Sequence, residues 1–319
     1  MISPRIIIHG GAGSAIGDGR RKKVRNALGR IRDEVWELLT DGADARQAVV
    51  EGCRRLEDDT LFNAGTGAVL QSDGQVRLSA SMMENDAGHF SGVVNARRLR
   101  HPIDVARFLQ DERDRVIAAP GVQELLRELE IPVHEPVTKK RLKKWAKNRG
   151  KNVDSATDEL VADDDPGFED GHGTVGVVVR DTKGRLAAGT STGGRGHERV
   201  GRVSDCATPA GNYAGESAAI SCTGIGEDIL DEGLATRIAV RVEDGLTLPD
   251  ALRRTFDEAE RRERSFGVIA IDDQGDIGWA KTSDVLLSAW RSDVGRGDTL
   301  ELDHGTIVSE PNATSGGTT

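Results

Sequence analysis

The amino-acid sequence predicts an α+β fold, a four-layer αββα sandwich in which two β-sheets lie between two layers of helices. Its 319 residues are within reach of a single large layered core. Strands and helices occur in two rounds, separated by a highly charged segment, and hairpins dominate the second round. Hairpins disfavour an alternating, doubly wound sheet. We therefore predict one domain over residues 1–319.

The first round begins with a buried strand, RIIIHGG, that ends in glycines. The next segment has the apolar spacing of an amphipathic helix. Its inward positions are Val24, Leu28, Ile31, Val35, Leu38 and Leu39. We predict a second helix over about 44–57, a loop and two strands within 61–83, and helices near 102–110 and 120–130.

Two oppositely charged stretches follow. Residues 138–151 are strongly basic and residues 158–170 strongly acidic. Neither stretch has enough apolar residues to bury a face, so we predict a solvated, mobile linker over about 134–173. A basic run can also bind nucleic acid, but no recognisable nucleic-acid-binding fold accompanies this one.

The second round of elements is rich in hairpins. TVGVVVRD and GRLAAGTST are strands joined by a Lys-Gly turn, and SAAISCTGIG is another strand. GLATRIAVRVEDG and TLPDALRRTFDEAERR are helices, the latter with Thr247 as N-cap and Asp250 in the capping-box position. SFGVIAIDDQGDIGWAK is a second hairpin, and the tail PNATSGGTT is predicted to be disordered.

Composition excludes several classes of protein. No stretch approaches the ~20 apolar residues of a membrane-spanning helix, and we expect no secretory signal. The net charge of −10 argues against a nucleic-acid-binding face. Cys53, Cys206 and Cys222 form neither a metal-ligand spacing nor an even-numbered disulfide framework, which favours the cytoplasm. The amino-acid composition is acidic, and its basic residues are mostly Arg, as in proteins from salt-loving microbes. An ordinary acidic cytosolic enzyme is the alternative.

Several short motifs carry weak chemical signals. HGGAGS at 9–14 suits an oxyanion turn, a phosphate loop, or a tightly packed strand end, and it lacks the spacing of nucleotide-binding loops. GTSTG at 189–193 matches a nucleophile elbow around Ser191, but no helical pattern follows it. The seven histidines form no zinc-ligand cluster. Glu84 and Asp86 are neighbouring acids of the kind that is usually solvated.

The stretch DGHGTVGVVV is more informative, because a Gly-Thr bond lies where the linker meets a strand. Gly173 imposes little steric barrier, so the Thr174 hydroxyl can attack the preceding carbonyl and shift the acyl group from nitrogen to oxygen. Hydrolysis of that ester frees an α-amine, whose pKa is ordinarily about 7.7–8.0. The amine can then act as general base for the adjacent hydroxyl. A plain strand start is the alternative reading of this bond.

Polar residues at other strand ends supply the remaining parts of an amide hydrolase. Arg202 and Asp205 stand three apart and can hold the carboxylate and ammonium of an amino acid. A threonine hydroxyl and a glycine N–H can form an oxyanion hole. The residues concerned are Thr192 in STGG, Arg202 and Asp205 in GRVSD, and Thr223, Gly224 and Gly226 in CTGIGE.

With these motifs the chain resembles the plant-type L-asparaginase/isoaspartyl peptidase family of N-terminal nucleophile hydrolases, over nearly its whole length. The motifs follow the family's order: HGGAG, LFNAGTGAVL, GVVNARRLRHPIDVAR, HGTVGVVVRD, LAAGTSTGG, GRVSD, SCTGIGE and GVIAID. The resemblance implies self-cleavage into an α chain, 1–173, and a β chain, 174–319. It also implies a dimer of αβ units that hydrolyses asparagine and β-aspartyl dipeptides.

The resemblance further implies a role for each matching residue. Thr174 would be the nucleophile and Thr192 the residue that orients and activates it. Thr223 and Gly224 would form the oxyanion hole, and Asn63 would position nucleophile and substrate.

A substrate clamp is implied as well. Arg202, Asp205 and Gly226 would hold the α-carboxylate and α-amine of an aspartyl group. Ser204 replaces the family's glycine, CATPAGNYAG replaces its Ser-Pro start, and SMMEND departs from its usual Met-Asp-Gly. The first two changes adjoin the clamp and so bear on substrate preference.

The resemblance implies no cofactor for catalysis and a structural sodium ion held by backbone carbonyls. Those carbonyls would belong to Leu56, Glu57, Asp59, Phe62, Ala64 and Thr66. Two alternatives remain: a glycosylasparaginase acting on N4-(β-N-acetylglucosaminyl)-L-asparagine, whose family has His-Asp-Thr-Ile-Gly where this chain has HGTVG, and a non-catalytic binding protein on the same fold.

Overall fold

Two β-sheets form the centre of the protein in the computed structural model, which describes residues 2–148 and 173–307. The larger sheet contains β1 (Arg5–Gly13), β2 (Leu78–Glu84), β3 (Phe90–Ala96), β4 (Val116–Ala118), β5 (Val175–Arg180), β6 (Leu186–Thr192), β11 (Val285–Arg291) and β12 (Arg296–Asp298). Its order is β12-β11-β1-β5-β6-β2-β3-β4, antiparallel throughout except where β3 meets β4.

The smaller sheet is antiparallel and packs against the larger one. It contains β7 (Asn212–Ala214), β8 (Ala218–Gly224), β9 (Phe266–Asp272), β10 (Ile277–Lys281) and β13 (His304–Ile307). The order is β13-β10-β9-β8-β7. The hairpins that connect β5 with β6 and β9 with β10 are those predicted from the sequence.

Helices cover the outer face of each sheet. The helices are α1 (Asp18–Thr40), α2 (Ala45–Asp58), α3 (Pro102–Leu109), α4 (Gly121–Glu128), α5 (Lys139–Asn148), α6 (Gly226–Glu232), α7 (Leu234–Glu243) and α8 (Leu248–Arg261). α1, α2 and α3 pack on the larger sheet, whereas α7 and α8 pack on the smaller. Among the helices of residues 2–148 and 173–307, none has the length and hydropathy of a transmembrane span.

Alternation of side chains along the strands divides the core into three layers. Ile6 and Ile8 of β1 join the cluster beneath α1 and α2, whereas Ile7 joins the cluster between the sheets. Val177 and Val178 of β5 divide in the same way. Successive strand side chains point to opposite faces, so a strand buried on both faces requires two covering layers. The predicted αββα sandwich is confirmed.

One prediction is wrong for part of the proposed linker. Residues 139–148 form the helix α5, not a solvated linker. Trp145 packs beside the buried cluster of Leu70, Val76 and Leu78, and its indole N–H donates to the Gln71 carbonyl at 2.9 Å. Trp145 thus helps to anchor a helix in which six of the ten residues are Lys or Arg. The predicted linker from 149 to 172 and the predicted disordered tail lie outside the described residues.

The strand predictions were also incomplete. Of the two strands expected within 61–83, only β2 forms, and the segment 68–70 is buried without pairing in a sheet. Strand β11 had not been predicted, yet it lies directly beside β1. Helix α8 matches its prediction, with Thr247 Oγ1 accepting from the Asp250 amide at 3.3 Å.

Candidate active site

The candidate nucleophile lies at the entrance of β5, facing the space between the sheets. Thr174 is 7% exposed, and its hydroxyl donates to Thr192 Oγ1 at 3.1 Å. Thr192 is the last residue of β6, the hairpin partner of β5, which explains why two residues 18 apart in sequence meet. The Gly194 amide donates to the same Thr192 oxygen at 3.1 Å. Thr192 therefore has a fixed position from which it can polarise the Thr174 hydroxyl.

Asn63 is in contact with the bond predicted to break. Its backbone N–H donates to the Gly173 carbonyl at 3.2 Å. Its side chain is fixed at both ends, because Nδ2 donates to the Gly194 carbonyl at 2.6 Å and Oδ1 accepts from the Val69 amide at 2.9 Å. A hydrogen bond to the Gly173 oxygen stabilises negative charge there, as an oxyanion-hole donor does.

Thr223 and Gly224 end β8, on the opposite sheet. Thr223 is fully buried, and its Oγ1 accepts from the Ala12 amide of β1 at 3.2 Å, which leaves its own hydroxyl proton free to donate. Gly224 has φ of 139°, and a Cβ there would lie 2.5 Å from Phe266 Cα. Only glycine suits this backbone and this close approach. Both residues occupy the strand end at which the sequence places an oxyanion hole.

Arg202 and Asp205 converge on Gly226, as the clamp requires. A Cβ on Gly226 would lie 2.7 Å from Asp205 Oδ1 and 2.8 Å from Arg202 Nη2. Glycine therefore leaves a small open volume lined by a carboxylate and a guanidinium. Glu227, which sequence reasoning missed, holds Arg202 through two parallel hydrogen bonds of 2.8 Å. Glu227 is the last residue of the CTGIGE motif, and this position in the motif is the sequence feature that could have identified it.

Asp205 is a buried acid with an unused oxygen. Its Oδ1 accepts from the Ser204 hydroxyl at 2.7 Å, whereas Oδ2 has no partner among the described residues. Burial raises the pKa of Asp205 to about 6, although the Ser204 hydrogen bond and the Arg202 charge act against that rise. An unpaired buried carboxylate gains most from a cation that brings its own N–H donors, such as a substrate ammonium.

The clamp and the nucleophile lie at the same end of the larger sheet. Cys206, directly after Asp205, donates from Sγ to the Ser79 carbonyl at 3.4 Å. Ser79 of β2 is in turn the register partner of Thr192. These contacts place Asp205, Ser79 and Thr192 at the same end of the larger sheet.

The other sequence candidates lie elsewhere. Ser191 faces the helical layer, opposite to Thr192, and no helix follows β6, so a nucleophile elbow is not formed. Glu84 pairs with Arg46 at the far end of β2, away from the Ser79–Thr192 pair. Gly10 packs against the Phe62 ring and Gly11 has a φ of 124°, so tight packing and backbone conformation account for these two glycines of HGGAGS. Within the described residues no cluster of three or more His, Cys, Asp or Glu side chains could hold a metal.

The predicted sodium loop is closed on itself. The Thr66 amide donates to the Glu57 carbonyl at 2.8 Å, and the Phe62 amide donates to the Asp59 carbonyl at 3.1 Å. A carbonyl oxygen has a second lone pair, and hard cations prefer oxygen ligands. The Glu57 and Asp59 carbonyls therefore each keep a lone pair that could bind a cation.

Comparison with known proteins extends the match along nearly the whole chain. A family model described as Asparaginase matches residues 2–301. The isoaspartyl peptidase/L-asparaginase of a Nostoc species is 51% identical over 311 residues, which cover 97% of this chain and 98% of the relative. The protein of the same name from a Synechocystis species is 49% identical, covering 95% and 92%. The plant-type L-asparaginase of Thermococcus kodakarensis is 34% identical, covering 90% and 96%.

Proposed function

This chain belongs to the asparaginase family, and on that premise we propose that it hydrolyses L-asparagine to L-aspartate and ammonia and cleaves β-aspartyl dipeptides. The observation that carries the proposal is the contact of the Thr174 hydroxyl with Thr192, immediately after a Gly173 carbonyl that accepts from Asn63. A threonine that can free its own α-amine supplies nucleophile and base in one residue.

Self-cleavage comes first in the proposed sequence. Thr174 Oγ1 attacks the Gly173 carbonyl carbon, and the developing oxyanion keeps the Asn63 N–H as a donor. The C–N bond breaks, the nitrogen takes the hydroxyl proton, and Gly173 remains attached to Thr174 as an ester. Water hydrolyses that ester, which leaves chains 1–173 and 174–319 and a free α-amine on Thr174.

Turnover repeats this chemistry on the substrate. Arg202 binds the α-carboxylate and Asp205 the α-ammonium, so the side-chain carbonyl of the aspartyl group is presented to Thr174. The α-amine of Thr174 accepts the hydroxyl proton as Oγ1 attacks that carbonyl, and Thr223 with Gly224 stabilises the oxyanion. Ammonia or an amino acid leaves with a proton, and water then releases aspartate from the acyl-enzyme ester.

A variant without the hydroxyl tests the proposal. Thr174→Ala should remain one uncut chain of 34.2 kDa and show no asparaginase activity. Thr182→Ala, in the turn at the remote end of β5, is the matched control and should be cut and active. Denaturing gels, mass spectrometry of the fragment that begins Thr-Val-Gly, and ammonia release provide the measurements. Cleavage or full activity in Thr174→Ala would refute the assignment.

Assembly, ion binding and location complete the proposal. We propose a dimer of αβ units, which size-exclusion chromatography with light scattering tests. A sodium ion held by the 56–66 carbonyls would stiffen the loop that carries Asn63, and a sodium-dependent melting temperature would support it. Cys53, Cys206 and Cys222 are buried free thiols, which supports a reducing compartment such as the cytoplasm.

A further inference from the structure

A second layer of polar groups lies one step below the candidate nucleophile, between the two sheets. Each member stands two residues further into its strand than a member of the candidate site, so it shares that member's face. The pairs are Gly176 with Thr174, Thr190 with Thr192, and Ser221 with Thr223. His9 of β1 completes the layer, since it is the register partner of Gly176.

Hydrogen bonds join the three side chains of this layer across both sheets. His9 Nε2 and Ser221 Oγ are 2.8 Å apart, and Ser221 Oγ and Thr190 Oγ1 are also 2.8 Å apart. All three residues are 0% exposed. They come from β1 and β6 of the larger sheet and from β8 of the smaller, so the contacts tie one sheet to the other.

Gly176 provides the room for this network. A Cβ at that position would overlap both Ser221 Oγ and His9 Nε2. Position 176 is otherwise ordinary extended strand, where glycine weakens the sheet and valine would be favoured. The second glycine of HGTVG, Gly176, is therefore explained by the polar side chains for which it leaves room.

The His9 ring is neutral in this setting. Burial lowers the pKa of His9 to about 3, and the Thr174 backbone opposes that shift as a hydrogen-bonding neighbour. A neutral imidazole has one donor and one acceptor nitrogen. When Ser221 donates to Nε2, the ring proton is on Nδ1. The Thr174 main chain is a neighbour of the ring, but Nδ1 has no hydrogen-bond partner among the described residues.

We propose that His9, Ser221 and Thr190 form a positioning network that aligns Thr174 with the oxyanion-stabilising end of β8. The nucleophile and Thr223 lie on different sheets, so their separation depends on how the sheets sit against each other. The network fixes that arrangement one residue pair below the reacting groups. It sets the rates of self-cleavage and turnover, and it leaves substrate affinity to the Arg202–Asp205 clamp. The inference rests on the proposed function.

Two conservative truncations test the network. Thr190→Val keeps the shape of the side chain and Ser221→Ala removes one oxygen, so both proteins should fold. We expect kcat for asparagine to fall roughly ten-fold or more, because small displacements of reacting groups are costly. KM should stay within about two-fold, because the clamp is intact. The time course of self-cleavage should slow in parallel.

Ser91→Ala is the matched control. Ser91 is also a fully buried hydroxyl, donating to the Ala106 carbonyl at 2.6 Å on the helical side of the larger sheet. Ser91→Ala should lower the melting temperature by about as much as Thr190→Val and Ser221→Ala do, while leaving kcat and the rate of self-cleavage unchanged. If Thr190→Val and Ser221→Ala lose no more kcat than Ser91→Ala, or if they change KM alone, the network serves only stability and the inference is wrong.

His9 variants separate positioning from proton transfer. His9→Gln retains a donor and an acceptor and should recover most of the kcat that His9→Leu loses. The pH profile of kcat in His9→Gln should keep the wild-type shape, and loss of a limb would show that His9 titrates in the reaction, which overturns a positioning role. Failure of the proposed function is a different result, since the wild-type chain would then be uncut and inactive.

Discussion

Gly173 shows how one missing side chain can serve a reaction. A Cβ at this position would lie 2.5 Å from the Cβ of Asn63. The backbone amide of Asn63 donates to the Gly173 carbonyl. We expect Gly173→Ala to push Asn63 away and to slow self-cleavage roughly ten-fold or more. Gel densitometry of freshly made protein against time measures the rate. Gly19→Ala, in α1 with open space around it, is the control and should cleave normally.

Asp205 gives the clamp a dependence on pH. Burial raises its pKa to about 6 in the free enzyme, so the carboxyl is charged above that pH and neutral below it. We expect KM for asparagine to rise as pH falls through about 6, because a neutral acid binds an ammonium poorly. Measuring KM from about pH 5 to about pH 8 tests this.

The Asp205→Asn variant isolates the charge. Its KM should be roughly 10- to 100-fold higher than that of the wild type, the range expected for losing a hydrogen bond to a charged group. The rise in KM near pH 6 should also disappear. If KM of Asp205→Asn still rises near pH 6, another titrating group is responsible for the rise.

Sequence motifs predict Thr174 and Thr192 as site residues, and the family resemblance implies Asn63. The structure brings the three residues together. The sequence analysis does not identify Glu227 as a partner of the clamp, because its contact with Arg202 forms only when the loop at 202–205 folds against α6. It also does not identify the hydrogen bond from the Ser204 hydroxyl to Asp205, because side-chain orientation cannot be read from adjacent residues in a sequence. The roles themselves remain proposals that the variants above test.

At the scale of elements, α5 shows the limit of composition as a guide. Its ten residues include six Lys or Arg, which favours a solvated segment, yet Trp145 stacks on His197 with ring planes 7° apart. Arg141 adds a hydrogen bond from Nε to the Gly67 carbonyl at 2.7 Å. Tertiary contacts of a few side chains override a charged composition. By contrast, the amphipathic periods of α1, α2 and α8 were sufficient to predict those helices.

Trp145 therefore links α5 to the loop that leads to Arg202. We expect Trp145→Ala to lower the free energy of unfolding by about 1–2 kcal/mol, less than for a fully buried aromatic. KM for asparagine should rise, because His197 and the loop after it lose a neighbour. Leu142→Ala, on an exposed part of the same helix, is the control and should change neither quantity. Denaturant unfolding and steady-state kinetics provide both readouts.

At the scale of the whole molecule, net charge is the dominant feature. The chain has 53 Asp and Glu residues against 43 Lys and Arg, a net charge of −10. Repulsion among excess acids opposes the compact state, and salt screens it. On the hypothesis of a salt-loving source, the melting temperature and activity should rise from low to molar salt. A low-salt optimum would identify an ordinary acidic enzyme.

The order of strands in the larger sheet has a consequence for the two products of the proposed cut. Strand β1, from before the bond, lies between β11 and β5 from after it, and β2 continues the sheet on the far side of β6. Strands from the two polypeptides thus alternate within one hydrogen-bonded sheet. Neither piece contains all the strands of the larger sheet or all the residues of the hydrophobic clusters on its two faces, whereas the smaller sheet comes entirely from the second piece. Scission would change the covalent connectivity while leaving a single cooperative body, and separately made halves would each lack the neighbours that they need to fold.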